Sequence, residues 1–163
     1  MSRDLYNRKD RLIQERRHDV YRKRDKWASP AHCPDCGVLY TNGRWAWPES
    51  SSAAEAVESL MCPACQRIAD RYPAGYIKLN GLFFKQHRRQ IINLIHNIET
   101  QEKSSHPLER IMAIKGNPDR TLITTTGIHL ARRIGHALAK AYKGDLTIRY
   151  ADAEQSVRVS WER

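Results

Sequence analysis

The chain of 163 residues suits one compact domain or two small ones, because a core of this size buries about two-thirds of the unfolded chain's surface without help from disulfides. Lysine and arginine number 28 against 18 acidic residues, a formal charge of +10 that points toward polyanionic partners. Met1 to Asp10 carries charges where a leader would be apolar, and no apolar run approaches the roughly 18 residues of a membrane helix, so the expectation is a soluble, cytoplasmic protein.

Residues 1–29 form a basic arm in which Arg16, Arg17, Arg22 and Arg24 belong to a cluster of ten basic side chains against five acidic ones. Leu5, Leu12, Ile13 and Val20 are its only sizeable aliphatics, too few to offset the cost of ordering, so the arm is expected to be disordered alone and open to ordering on a partner.

Residues 30–75 are expected to form a zinc ribbon. The knuckle Cys33-Pro34-Asp35-Cys36-Gly37 opens it, and Cys62-Pro63-Ala64-Cys65 closes it. Between them lie the aromatic stretch Tyr40 to Pro48 and a small-residue insert, Glu49 to Leu60, read as a loop or short helix. Paired CxxC turns present four thiolates with the tetrahedral geometry that zinc prefers, and Gly37 tolerates the positive φ of a knuckle. A redox pair calls for a single CxxC in a βαβ setting and disulfides call for secretion, so one structural zinc on Cys33, Cys36, Cys62 and Cys65 is the expectation. Four cysteine ligands leave no open coordination position, and with no HExxH, GxSxG or phosphate-cradling glycine loop present, no enzyme activity is expected.

Residues 76–106 are read as a strand, Tyr76 to Leu79, then, after Gly81, a long helix running to about Glu102. Its face is predicted from Leu82, Phe83, Gln86, Gln90, Ile91, Leu94, Ile95 and Ile98. Lys85, His87, Arg88 and Arg89 near its start and Glu99 and Glu102 near its end oppose the helix macrodipole, an arrangement read as either a solvated face or an accommodation to a partner.

Pro107 starts a new unit over 107–163 with the order ββαββ, so the fold class is α+β. Strands are predicted at Arg110 to Lys115 and Arg120 to Thr125 around the turn Gly116-Asn117-Pro118-Asp119. A helix follows from Gly127 to Tyr142, capped by Thr126 and stopped by Gly144, then strands from Asp145 to Tyr150 and Ser156 to Trp161. Ile128, Ala131, Ile134, Gly135, Leu138, Ala141 and Tyr142 make its predicted buried stripe. His129, Arg132, Arg133, His136, Lys140 and Lys143 make an all-cationic opposite face.

That face is read as a phosphate-binding surface, strengthened below about pH 6.5 when the histidines gain charge. The alternating Trp45 and Trp47 are read two ways, as the small core of the ribbon or as a stacking platform for an unpaired base, with Arg44 opposite them as a further candidate nucleic-acid contact.

The two knuckles, the run from Cys62 to Gly75, the stretch from His106 to Ile111 and the segment from Thr126 to Gly135 together resemble a family of small bacterial zinc-ribbon proteins. These are similar in turn to the N-terminal zinc-binding part of the archaeal and eukaryotic large-ribosomal-subunit export adaptor. The likeness spans roughly residues 30–163. It implies metal ligation by the four cysteines, a place at the ribosome or on structured RNA, and an association with stress or low-oxygen survival. Further zinc ligands and later domains of the adaptor have no counterpart here, so an export role is not implied. The resulting expectation is a non-enzymatic, zinc-containing protein that binds RNA, with ribosomal RNA and ribosomal proteins as partners. A protein-protein adaptor and a non-specific DNA binder are the alternatives.

Overall fold

The computed structural model describes residues 20–21, 30–49, 58–151 and 155–163. Of the basic arm only Val20 and Tyr21 are described; Arg16, Arg17, Arg22 and Arg24, residues 50–57 of the insert and residues 152–154 lie outside the described residues. The described part mixes three helices with two sheets.

The smaller sheet joins β1 (Ala31–His32), β2 (Leu39–Thr41), β3 (Arg44–Ala46) and β4 (Glu58–Ser59) in the order β3-β2-β1-β4. Thr41 faces Arg44 across the two-residue turn Asn42-Gly43, both in the left-handed region at φ 51° and 80°, the geometry that matches the twist of a tight hairpin. Helix α1 (Pro63–Asp70) follows, then β5 (Gly75–Asn80), α2 (Leu82–Ser105), β6 (Ile111–Gly116), β7 (Arg120–Thr125), α3 (Ile128–Tyr142), β8 (Asp145–Ala151) and β9 (Ser156–Glu162). Strands β6 and β7, helix α3 and strands β8 and β9 follow one another along the chain, and β5 completes their sheet. The strands run β6-β7-β5-β9-β8, with β5 parallel to β9 and antiparallel to β7. A division of the chain at residue 107 therefore passes through one sheet.

Alternation along the strands sends Ile77, Leu79, Ile123, Val157, Val159 and Trp161 to one face, where α2 and α3 supply Phe84, Ile91, Ile95, Leu130, Ile134 and Leu138. Each fully buried aliphatic contributes about 1.5–3 kcal/mol relative to exposure, so this cluster is the main source of stability. Trp161 closes one end of it by donating its Nε1 hydrogen to the Lys143 carbonyl at 2.7 Å.

Both predicted stripes need correction. On α2 the buried residues are Phe84, Ile91, Ile95, Ile98 and Glu102, whereas Leu82 is 70% exposed and Gln86 and Gln90 face solvent. Leu82 lies about 200° around the helix from Phe84, and a break in helical geometry at His87 (φ −114°, ψ 17°) shifts the first turn relative to the rest. On α3 Leu130 is buried and Ala141 is exposed. Here the helix lies close enough to the sheet that a side chain at Gly135 would meet Val159 at 2.7 Å.

The cap of α3 differs as well. Gly127 is the N-cap and contributes no side chain; instead the Glu109 carboxylate accepts the Leu130 amide hydrogen at 3.0 Å. A Cβ at residue 127 would collide with that carboxylate. Thr126 is taken up elsewhere, its Oγ1 accepting from the Arg110 amide at 2.9 Å and donating to the Leu108 carbonyl at 2.5 Å. Burial raises the Glu109 pKa, yet its acceptor role is specific, so Glu109→Ala is expected to lower stability by about 1–2 kcal/mol, measured by urea unfolding.

Candidate metal centre and cationic surfaces

The first CxxC forms a tight knuckle. The Cys33 amide donates to Val38 O and the Gly37 amide to Cys33 O, both at 2.8 Å, with Gly37 at φ 77° as its position after the second ligand predicts. The second CxxC is not a matching knuckle. Cys62 is the N-cap of α1, its sulfur accepting from the Cys65 amide at 3.4 Å, and Pro63 occupies the first turn, where the missing N–H costs nothing. Placing Cys62 and Cys65 at a helix N-terminus favours the thiolate forms that a metal requires.

All four Sγ atoms lie within 4.8 Å of one another, and Cys36 and Cys62 are 3.7 Å apart. A tetrahedron with metal–sulfur bonds of about 2.3 Å sets its sulfurs about 3.8 Å apart, whereas a disulfide requires about 2.05 Å. The cysteines are free and Cys33, Cys62 and Cys65 are buried. The donor set therefore fits a structural metal ion. Burial pushes the Cys62 thiol up and Cys65 to about 11. At Cys36 burial acts the same way, but the Val38 backbone and the Arg110 guanidinium outweigh it and bring the thiol down to about 7.

Arg110 is the residue that sequence reasoning missed. Only 7% exposed and immediately before β6, it donates from Nη2 to Cys36 Sγ at 3.2 Å, from Nη1 to Cys65 Sγ at 3.4 Å and from Nε to Pro107 O at 2.7 Å. Its guanidinium lies 5.8 Å from the Trp47 ring. Trp47 in turn donates Nε1–H to Lys103 O at 2.7 Å, so α2 and β6 both grip the cysteine module. Of the two alternatives for Trp45 and Trp47, the structure places both against the cysteine cluster, with Trp45 also beside Tyr40 at 5.2 Å.

The candidate nucleic-acid residues do not form one uniform face. Lys85 pairs with Asp119 at 2.7 Å, Arg88 reaches Thr121 Oγ1 at 3.5 Å, and Arg44 and Arg89 are exposed. On α3, Arg133 is bound to Glu102 of α2, whose other oxygen lies 3.1 Å from His106 Nδ1. Arg132 is half-buried, with its guanidinium 5.8 Å from the Tyr150 ring. His129, His136, Lys140 and Lys143 are exposed. The acids at the end of α2 thus serve internal partners, since Glu99 accepts the Ile111 amide at 2.7 Å while Glu102 holds Arg133 and His106.

Among the described residues no helix is long and apolar enough to cross a membrane. Comparison with protein-family models, with curated proteins and with solved structures finds no match to the chain. The fold and site thus define a mixed helix-and-sheet protein with a cluster of four cysteines able to hold a structural metal ion.

Proposed function

We propose that the chain is a non-enzymatic, cytoplasmic RNA-binding protein built on a zinc ribbon, that it associates with the ribosome, and that it acts in translation under stress or low oxygen. Zinc is the metal of choice for four thiolates in a closed tetrahedron. Bound there, it would be held by Cys33, Cys36, Cys62 and Cys65 and would supply cross-linking, not reactivity. Two negative charges remain on such a centre, and Arg110 offsets one of them.

The observation that carries the RNA reading is the exposed basic end of α3, where Lys140 and the following Lys143 have no ion pair among the described residues. The internal commitment of Arg133 to Glu102 removes it from that surface. Sedimentation of tagged protein through a sucrose gradient at low and high salt tests the reading. Wild type is expected to travel with ribosomal particles at low salt and to be released at high salt, and Lys140→Glu with Lys143→Glu to remain at the top in both. Wild type free of RNA under both conditions would favour an adaptor for an acidic protein instead.

A further inference from the structure

The face of the large sheet turned away from α2 and α3 carries its own chemistry. Register aligns Thr124, Tyr76, Arg158 and Arg149 in one row across β7, β5, β9 and β8, and Leu122, Lys78, Ser160 and Thr147 in the next. Lys115 continues the second row onto β6 opposite Leu122. Lys78, Lys115, Arg149 and Arg158 are exposed, and Leu122 is 40% exposed. The Arg158 guanidinium lies 4.7 Å from the Tyr76 ring centroid, a cation–π pair on the two neighbouring inner strands β5 and β9. Glu162 and Asp145, the acids of this face, sit together one row further on, at the end beside Asn80.

We propose that this open sheet face binds single-stranded RNA, with bases stacking on the Tyr76–Arg158 pair and over Leu122 and with phosphates following Lys78, Lys115 and Arg149. The proposal rests on the RNA-binding reading above and gives it a second surface, distinct from α3. Lys78, Lys115 and Arg149 stand on three different strands, so a backbone crossing the sheet meets them in turn. The Tyr76–Arg158 pair and the exposed leucine offer what a duplex, with its bases turned inward, does not use. An acidic peptide would satisfy the cations but would gain nothing from Tyr76.

The test is fluorescence anisotropy of the zinc-loaded full chain with a labelled mixed-sequence single-stranded RNA, the same sequence as DNA, the RNA duplex, and polyglutamate as competitor. Single-stranded RNA is expected to bind more tightly than its duplex and to resist polyglutamate. Lys78→Glu with Arg149→Glu should weaken it at least about tenfold and flatten the slope of log affinity on log salt by about 1.4. Tyr76→Leu should weaken it about tenfold while leaving that slope unchanged. Circular dichroism confirms that each variant is folded. If wild type binds single strands and both variants bind equally well, the sheet face is idle and the proposal is overturned while the RNA reading stands. Equal binding of duplex, or full displacement by polyglutamate, also overturns it, and absence of any RNA binding removes both.

Discussion

Replacing Cys62 with serine, or stripping the metal with a chelator, is expected to unfold residues 30–49 and 58–65 while leaving the larger sheet and its helices in place. The apolar cluster of the cysteine module has Val38 and Ala64 as its buried members besides the cysteines themselves, with Trp45, Trp47, Met61 and Leu108 packed partly against it. So small a core cannot meet an ordering cost of about 1–2 kcal/mol per residue. On the proposed reading metal coordination supplies the remainder, since structural zinc in small modules is worth about 10–16 kcal/mol at neutral pH. The large cluster around Ile77, Ile123, Leu138 and Trp161 contains none of the ligands. Elemental analysis should fall from about one zinc per chain to near zero. Tryptophan emission should redden as Trp45 and Trp47 become exposed, with most of the far-ultraviolet dichroism retained. An unchanged emission spectrum and protease resistance after complete metal loss would contradict a structural role.

The second large effect is expected at Arg110. Its guanidinium contacts the sulfurs of Cys36 and Cys65 from a buried position, so Arg110→Ala removes a cation and leaves excess thiolate charge enclosed. Breaking a buried ionic set in this way costs about 3–5 kcal/mol. Metal affinity should fall about 10- to 100-fold, as it does when the partners of ligating groups are lost. Arg110→Lys keeps the charge but not the fork that spans two sulfurs and the Pro107 carbonyl, and should recover only part of the loss. Urea unfolding of the zinc-loaded protein and competition with a metal indicator measure the two effects. A variant as stable and as metal-retentive as wild type would show that the contacts to sulfur are incidental.

The features that the sequence made legible are local ones. Paired CxxC spacing identifies the four cysteines, a glycine after Cys36 marks the knuckle, and Asn117 with Gly116 marks the β6–β7 turn, where Asn117 Oδ1 accepts from the Asp119 and Arg120 amides at 3.0 Å. Asn42-Gly43 was an equally plain hairpin signal inside a stretch read for its aromatics. Long-range pairing was not legible. Nothing local in Tyr76 to Leu79 indicates that β5 inserts between β7 and β9, and the Arg110 contacts to Cys65 and Cys36 bridge 45 and 74 positions.

The cationic face of α3 shows the same limit. A helical wheel separates Arg133 from the apolar stripe but does not reveal Glu102, which comes from another helix. Lys78, Arg149 and Arg158 stood at alternating strand positions in plain view. Only the strand order shows that they share one face.

The most direct measurement of the central claim is the affinity of the purified zinc-loaded protein for a structured ribosomal RNA fragment as a function of salt. Recognition through exposed cations predicts a linear fall of log affinity with log salt, with a slope of about −3 or steeper. Absent binding, or a slope near zero, would contradict it.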